Sequence, residues 1–295
     1  MAAPILPRNA SDPTGQDRRE RAAIAEFSRK LRQVGKLYQD ALKRIPYQVV
    51  TVNAKIYQFD LNPDLLASIL GEISLAVDRI LLEGGPDQLW FTQQYVVPAY
   101  QQGTAQQWAN LGAQSETYQA SRPALESLLT SDPYRRRIGY LRAREFELMR
   151  GFNAETKAHM SRILADGLAT GQNPLQVARD LTKQLGIEER RAERIARTEI
   201  PTAFRQARLD EAEQAQTELG IQSREMHLSA LSPTTRPTHR ARHATLHTST
   251  EQRAWWQRDA NSIRCKCSSV TVLVDAKGAP LTPGIVERAK RMAQT

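Results

Sequence analysis

The chain has 295 residues, of which 40% are hydrophobic and 25% are charged. This length suits one large domain or two ordinary ones, and the apolar content excludes wholesale disorder. The two cysteines, Cys265 and Cys267, are too close together for a disulfide bond that would link distant parts of the chain, so a disulfide-built secreted scaffold is excluded. No apolar run reaches the roughly 20 residues of a membrane span, and the start lacks a signal-peptide pattern, so we expect synthesis in a cytosol and no membrane partner. The net charge of +9 favours polyanion partners.

The first half has the pattern of a helical region behind a flexible arm. Proline and glycine recur in residues 1–17 with little apolar content, which predicts the arm. Apolar residues at helical spacing then predict a helical domain over 18–149. Its predicted helices are Arg18–Ile45, a second that Asn62 caps and that runs to Gly84-Gly85, and a third from Pro86 towards Trp108 or Tyr118 with possible bends at Pro98 and Gly103. The β-branched segment Tyr47–Phe59 fits either a short strand pair or an extended connector.

The second half changes from helical to strand patterning. The predicted helices cover 152–167, 175–185 ending at Gly186, and 188–219, with a kink or boundary before Pro201. Met226 and Leu228 alternate with polar residues, as do Val270 and Val272, which predicts two strands joined by a long connection. A polar tail at 276–295 holds a short helix over Pro283–Ala293. The fold class is therefore mainly α, with a small α+β C-terminal domain.

Four segments occur in an order typical of one family. They are Ile195-Ala196-Arg197-Thr198-Glu199, the run Ala203–Ala212, Thr235-Arg236-Pro237-Thr238-His239 and Arg264-Cys265-Lys266-Cys267. This order resembles the Mu F-like minor head proteins of tailed bacteriophages, over 150–275. Three departures stand out: Cys-Lys-Cys replaces Cys-Arg-Cys, Pro201 directly follows the Ala-Arg-Thr-Glu segment, and the glycine usual after the Thr-Arg-x-x-His segment is missing.

The resemblance implies a non-enzymatic virion component. Such a protein is expected inside the capsid, associated with the portal protein, and connected with head morphogenesis and with DNA packaging, delivery or ejection. The expected partners are the portal protein, phage DNA and, as a further candidate, scaffold or major capsid protein. The helical domain at 18–149 is our expectation for the portal contact, because the family motifs lie elsewhere in the chain.

The connection between the two predicted strands is strongly basic. Eight basic and three acidic residues lie between Arg224 and Val270, which leaves a net charge of +5. Such a segment can bind phosphates without sequence preference. The candidate nucleic-acid-binding residues are Arg236, Arg240, Arg242, Arg253, Arg258, Arg264 and Lys266. Trp255 and Trp256 are either stacking platforms for bases or core residues.

The same connection contains a candidate metal site. His239, His243 and His247 are four residues apart, and Cys265 with Cys267 follows after a long loop. His239, His243, Cys265 and Cys267 would give the two imidazoles and two thiolates of a closed structural zinc site. Family members with Cys-x-x-Cys at the positions of Arg236 and His239 support this idea, because that spacing is common in zinc sites. Against it, the Cys-x-Cys spacing is tighter than usual for zinc, and Arg236 cannot bind a metal. The alternative is hydrogen-bonded or phosphate-facing histidines and cysteines buried in a strand.

Two enzymatic functions compete with the head protein at the level of sequence. A phosphodiesterase-type nuclease would use His239 or His243 as base and Arg236 to hold a phosphate, and it is the alternative to the head protein. An ADP-ribosyltransferase is excluded, because both Glu-x-Glu pairs precede the Thr248-Ser249-Thr250 stretch, whereas those enzymes place Glu-x-Glu last.

Overall fold

The computed structural model describes residues 2–50, 56–60 and 62–293, and most of them are helical. The helices are α1 (Asp17–Arg44), α2 (Pro63–Leu81), α3 (Gly85–Gln88), a π-helical turn (Thr92–Val96), α4 (Val97–Gln114), α5 (Glu116–Ser121), α6 (Leu125–Leu129), α7 (Asp132–Ala169), α8 (Pro174–Leu219), α9 (Pro237–Ala241), α10 (Ser249–Gln257) and α11 (Ile285–Arg291). The strands are β1 (Tyr47–Val49), β2 (Tyr57–Phe59), β3 (Ser223–Leu228), β4 (Leu246–His247) and β5 (Ser268–Leu273). Within the described ranges, no helix combines the length and the apolar character that crossing a membrane requires. The predicted class, mainly α with a small α+β part near the C-terminus, is confirmed.

The chain forms two compact units, each built from separate stretches of sequence. Unit 1 comprises Met1–Arg21, Gln93–Leu141 and Arg194–Thr295, and unit 2 comprises Ala22–Thr92 and Arg142–Glu193. The helices α1, α7 and α8 contribute residues to both units. The division of the sequence at 149/150 into a helical and a Mu F-like domain remains a prediction.

The described residues of unit 2 are mainly helical, apart from the paired strands β1 and β2. Phe27, Trp90, Phe91 and Phe152 form its aromatic cluster, with ring centroids 4.8–5.9 Å from the Phe27 ring. Strands β1 and β2 pair antiparallel, with Tyr47 opposite Phe59, so the strand-pair alternative for this segment is the one that forms. Residues 51–55 of the predicted segment lie outside the described residues. Asn62 caps α2 as predicted, because its side chain accepts a hydrogen bond from the backbone N–H of Leu65 at 2.8 Å.

Unit 1 contains the small sheet. Its strand order is β4-β3-β5, all antiparallel, with Met226 of β3 opposite Val270 of β5. The two strands predicted from alternation are therefore confirmed. The hydrophobic cluster on this sheet includes Met226, Leu228, Val270 and Val272 together with Ile285 and Ala289 of α11. The predicted tail helix forms and packs into this core.

Two helix predictions were wrong. The third helix is not continuous: α3, the π-helical turn, α4 and α5 replace it, because Pro98 lacks an N–H and Ser115 ends α4 and caps α5. Conversely, α8 runs without a break from Pro174 to Leu219, so no helix ends at Gly186. Of the two alternatives near Pro201, the boundary does not form, and the kink remains a prediction. An internal glycine costs a helix only about 1 kcal/mol, and the buried apolar residues on either side of Gly186 and Pro201 outweigh such local penalties.

The N-terminal segment, predicted to be a flexible arm, has no helix or strand over residues 2–16 but makes specific hydrogen bonds within unit 1. The backbone N–H of Ile5 donates to Asn110 Oδ1 at 2.9 Å, and the N–H of Leu231 donates to the carbonyl of Ala10 at 2.9 Å. Asp12 accepts from the Thr14 hydroxyl and is itself buried. These bonds position the start of α1, which carries Glu20.

Candidate metal centre and basic surface

The connection between β3 and β5 folds back so that His239 meets both cysteines. His239 lies in α9, which begins at Pro237, while Cys265 and Cys267 lie in the segment that leads into β5. Arg236 ties these two parts together, because its guanidinium donates to the carbonyls of Ala260, at 2.9 Å, and of Ile263. A side chain predicted to hold a phosphate therefore closes a loop beside the cluster.

The three potential ligands form a compact, buried group. His239 Nδ1 lies 3.4 Å from Cys265 Sγ and 3.5 Å from Cys267 Sγ, and the three ligand atoms all lie within 4.8 Å of one another. The exposed fractions are 2% for His239, 4% for Cys265 and 2% for Cys267. One imidazole and two thiols in such a group could hold a soft or borderline metal ion.

Polar groups around the cysteines favour the thiolate form of Cys265. The N–H of Ala230 donates to Cys267 Sγ at 3.4 Å, and the buried guanidinium of Arg205 donates to the carbonyls of Cys265 at 2.6 Å and Cys267 at 3.2 Å. A hydrogen bond from Cys267 holds the pKa of Cys265 well below the ordinary thiol value, with His239 and Arg205 contributing. The same hydrogen bond and burial raise the pKa of Cys267.

His243, predicted as the fourth ligand, is not part of this group. Its Nδ1 accepts from the backbone N–H of Ser229 at 3.2 Å, and its Nε2 lies 2.9 Å from the carbonyl oxygen of Ala289 in α11. Both ring nitrogens therefore have protein partners, and the imidazole joins β3 to the tail helix. His247 likewise has a partner, the hydroxyl of Thr245, at 2.7 Å. The predicted set of four ligands is thus reduced to three.

A cleft of about 610 Å³ opens beside the cluster, and the three potential ligands line it. Glu20 from the first turns of α1 also lines the cleft and is only 3% exposed. Burial raises the pKa of the Glu20 carboxyl to about 7, although the nearby charge of Lys266 opposes the shift. Sequence patterns did not indicate Glu20 or Arg205 as site residues. For Arg205, the one available signal was its position, since it is a charged residue beside Phe204, among the apolar positions of a helix.

The seven predicted nucleic-acid-binding residues differ in their availability. Arg253 is ion-paired with Asp210 and Glu213, at 2.8 Å each, and Lys266 is ion-paired with Asp17 at 2.5 Å. These two side chains are therefore already engaged in short ion pairs with carboxylates of the protein.

The other five candidates include three exposed side chains. Arg236 closes the loop beside the cluster, and Arg242 lies over the Trp255 ring at 5.0 Å. Arg240, Arg258 and Arg264 are exposed. The side chain of Arg258 is 67% accessible, and its Nε lies 4.0 Å from a carboxylate oxygen of the neighbouring Asp259. Arg240, Arg258 and Arg264 together form the exposed basic surface.

The two tryptophans are core residues. Trp255 and Trp256 are 7% and 6% exposed and pack with Leu209 of α8. The Trp255 ring also contacts the rings of His227 and His239, at centroid distances of 4.8 and 4.6 Å. Buried rings cannot stack on bases, so the interpretation of these tryptophans as base platforms was wrong.

The motif-bearing part of the chain matches a known protein family. The family model described as Phage Mu protein F like protein matches residues 158–270, which include the Ala-Arg-Thr-Glu segment, His239 and both cysteines. The predicted resemblance to the Phage Mu protein F-like family is therefore confirmed over residues 158–270. This assignment points to a phage head protein. Searches of curated proteins and of solved structures each found no match.

Proposed function

We propose that this protein is a minor head protein of a tailed phage that lies inside the capsid, associates with the portal and acts in head morphogenesis and in DNA packaging or delivery. The observation that carries the proposal is the family match over 158–270. In this role the protein is a non-enzymatic virion component, and non-specific contact with the packaged DNA is part of its function.

The exposed basic surface supports the DNA contact. Arginines that lie on the surface can approach phosphates, and release of the counterions that the phosphates hold makes such binding favourable at low salt. The ion-paired Arg253 and Lys266 would first have to give up their carboxylates. Because their side chains are exposed, Arg240, Arg258 and Arg264 are expected to contribute more to binding than the half-buried basic residues of the connection.

Salt-dependent DNA binding tests this part of the proposal. The purified protein should bind duplex DNA of unrelated sequences equally, with an affinity that falls steeply as salt rises. Changing Arg240, Arg258 and Arg264 together to Ala should weaken binding and reduce the slope of log affinity against log salt by roughly 0.9 for each phosphate that is no longer neutralised.

A matched variant distinguishes the effect of this surface on DNA binding from the effect of the protein's total charge. Arg32, Lys36 and Lys183 are exposed in unit 2, and changing them to Ala removes the same charge. This control should bind DNA almost as well as the unchanged protein. Equal losses in both triple variants would mean that only net charge matters, and no binding at low salt would contradict the DNA contact.

Association with the portal needs its own experiment. Co-expression with the portal protein of the same phage should yield a complex, and chemical cross-links should map to residues 18–149, the segment proposed for this contact. Separate elution of the two proteins, together with an absence of cross-links, would contradict the portal association.

The nuclease alternative finds no support in the geometry. His239 is buried between thiols, both nitrogens of His243 have protein partners, and the guanidinium of Arg236 donates to loop carbonyls. The residues suggested for the base and for the phosphate contact are therefore engaged within the protein. We expect no cleavage of single- or double-stranded DNA or RNA, with or without divalent metal.

A further inference from the structure

We propose that His239, Cys265 and Cys267 bind one zinc ion, and that the fourth coordination position opens into the cleft lined by Glu20. The inference rests on the geometry of the cluster and does not depend on the role proposed for the protein in the phage head. It replaces the closed four-ligand site, one of the two alternatives offered by the sequence, with a three-ligand site that has room for an exchangeable ligand.

The two distances between His239 Nδ1 and the cysteine sulfurs are close to the sulfur–nitrogen separation of a tetrahedral zinc site. With Zn–S near 2.3 Å and Zn–N near 2.0–2.1 Å, a tetrahedral angle separates sulfur and nitrogen by about 3.6 Å. The two observed separations from His239 Nδ1 are 3.4 and 3.5 Å. A single ion between the three atoms therefore requires little rearrangement of the chain.

The chemistry of the cluster also suits zinc. Two thiolates and one imidazole form a ligand set that zinc binds well, whereas calcium and magnesium prefer oxygen ligands. Binding would release the thiol protons, and the two thiolate charges would balance the charge of the ion. The N–H of Ala230 and the guanidinium of Arg205 supply the surrounding polar contacts that orient metal ligands.

The fourth position cannot be filled by His243 as the chain stands, because Ser229 and Ala289 occupy its two ring nitrogens. The cleft is the open side of the cluster, since His239, Cys265 and Cys267 all line it. Glu20 lines the same cleft, and its Oε1 has no hydrogen-bond partner in the described part of the chain. A water on the zinc could donate to this carboxylate oxygen, which assigns Glu20 a positioning role.

Metal content is the first test. Untagged protein purified without chelators should contain about one zinc per chain by elemental analysis. Cys265→Ser and His239→Ala should each lose the metal, whereas His243→Gln should keep it. Circular dichroism of each variant shows whether metal loss accompanies global unfolding, and zinc titration of the wild-type protein after chelation gives the stoichiometry without any substitution.

Three results would contradict the zinc proposal. Wild-type protein without zinc, unable to take it up after reduction, would overturn the proposal, as would two cysteines joined in a disulfide. Loss of zinc from His243→Gln in a folded protein would restore the four-ligand site and contradict the three-ligand one. None of these outcomes bears on DNA or portal binding, so failure here and failure of the proposed function are distinguishable.

Cobalt substitution tests the fourth position. The cobalt-loaded protein should show the absorption of a tetrahedral site with thiolate ligands, and added imidazole should change its visible bands by replacing the water. Glu20→Gln should also change these bands while retaining the metal, whereas Glu116→Gln, at an exposed position on α5, should not. Bands that respond neither to imidazole nor to Glu20→Gln would show a closed site and overturn the open position.

Discussion

Charged residues are buried both in α8 and in the small sheet. Arg208 and Glu225 are 4% and 0% exposed, and Glu225 accepts hydrogen bonds from the hydroxyls of Ser269 and Thr271 at 2.6 Å each. Burial lowers the pKa of Arg208 to about 10, and the charge of Glu225 opposes that shift. Burial likewise raises the pKa of Glu225, although both hydroxyls stabilise its ionised form. Desolvation therefore exceeds the local stabilisation at both residues.

The raised pKa of Glu225 predicts a pH effect on stability. Above the ordinary value of 4.5 the unfolded chain releases this proton while the folded protein retains it, so the folded state loses stability as the pH rises towards the folded pKa. Glu225→Gln should remove this decline and make the free energy of unfolding less dependent on pH above about 4.5.

Denaturant unfolding at several pH values measures the effect. Glu116→Gln provides the control, because this carboxyl is exposed, and it should leave the pH profile as in the unchanged protein. An identical pH profile for Glu225→Gln and the unchanged protein would show that Glu225 has the same proton affinity in the folded and unfolded states.

At the scale of elements, α4 has two structural roles in unit 1. Its side-chain amides pair with the edge of β5: Asn110 and Gln114 donate to the carbonyl of Thr271, at 2.8 and 3.0 Å, and Gln114 Oε1 accepts from the N–H of Leu273. This covers an edge that would otherwise expose unpaired backbone groups. It also gives a structural reason for the glutamines of a helix whose hydrophobic periodicity is weak.

The second role of α4 is close packing on α8. It allows a prediction about stability, with a control on the same helix. A Cβ at Gly103 would lie 2.3 Å from the carbonyl oxygen of Phe204 and 2.9 Å from Ala207 Cβ, whereas one at Gly112 would meet nothing within 4 Å. Gly103→Ala should therefore destabilise the protein by roughly 1–3 kcal/mol through overpacking. Gly112→Ala, on the same helix, should stabilise it by about 0.5–1 kcal/mol.

Chemical denaturation of both variants measures the two changes. A neutral or stabilising Gly103→Ala would mean that α4 and α8 do not approach at this point. Similar changes in both variants would indicate that helix propensity alone sets their stability.

At the scale of the whole molecule, the two units should respond differently to zinc removal. Binding energy at a metal site stabilises the parts that the ligands join, and here these are α9 and the segment entering β5. Chelation should therefore reduce amide protection from hydrogen exchange over residues 229–267. Protection in unit 2, over Ala22–Thr92 and Arg142–Glu193, should stay unchanged, because all three ligands lie in unit 1.

Hydrogen exchange read by mass spectrometry, with and without a chelator, gives this comparison directly. Equal loss of protection in both units would show that the metal stabilises the entire chain. Unchanged protection everywhere would mean that the cluster contributes nothing to the stability of its own loops.

Much of the secondary structure follows from local signals in the sequence. Apolar residues at helical spacing predict α1 and α2, the Asn62-Pro63 pair predicts the start of α2, and alternation predicts β3 and β5. Composition excludes a disulfide scaffold, and the ordered motifs predict the family segment. The helix boundaries that Gly186 and Pro201 suggested do not form, because a residue that penalises a helix by about 1–3 kcal/mol is outweighed when the flanking residues are buried, as Leu185 and Ile200 are in part or in full.

The sequence by itself determined that histidine and cysteine accompany a basic connection in a mostly helical chain. Only the tertiary structure decided which of them meet: His239 lies between the two cysteines, whereas His243, four residues later, is directed to Ala289. It also placed Glu20, which lies far earlier in the chain, beside the same cleft. Spacing along a chain limits only local directions, whereas the position of an imidazole relative to a thiol depends on how α9, β3 and α11 pack, and that packing is set by contacts between residues far apart in sequence.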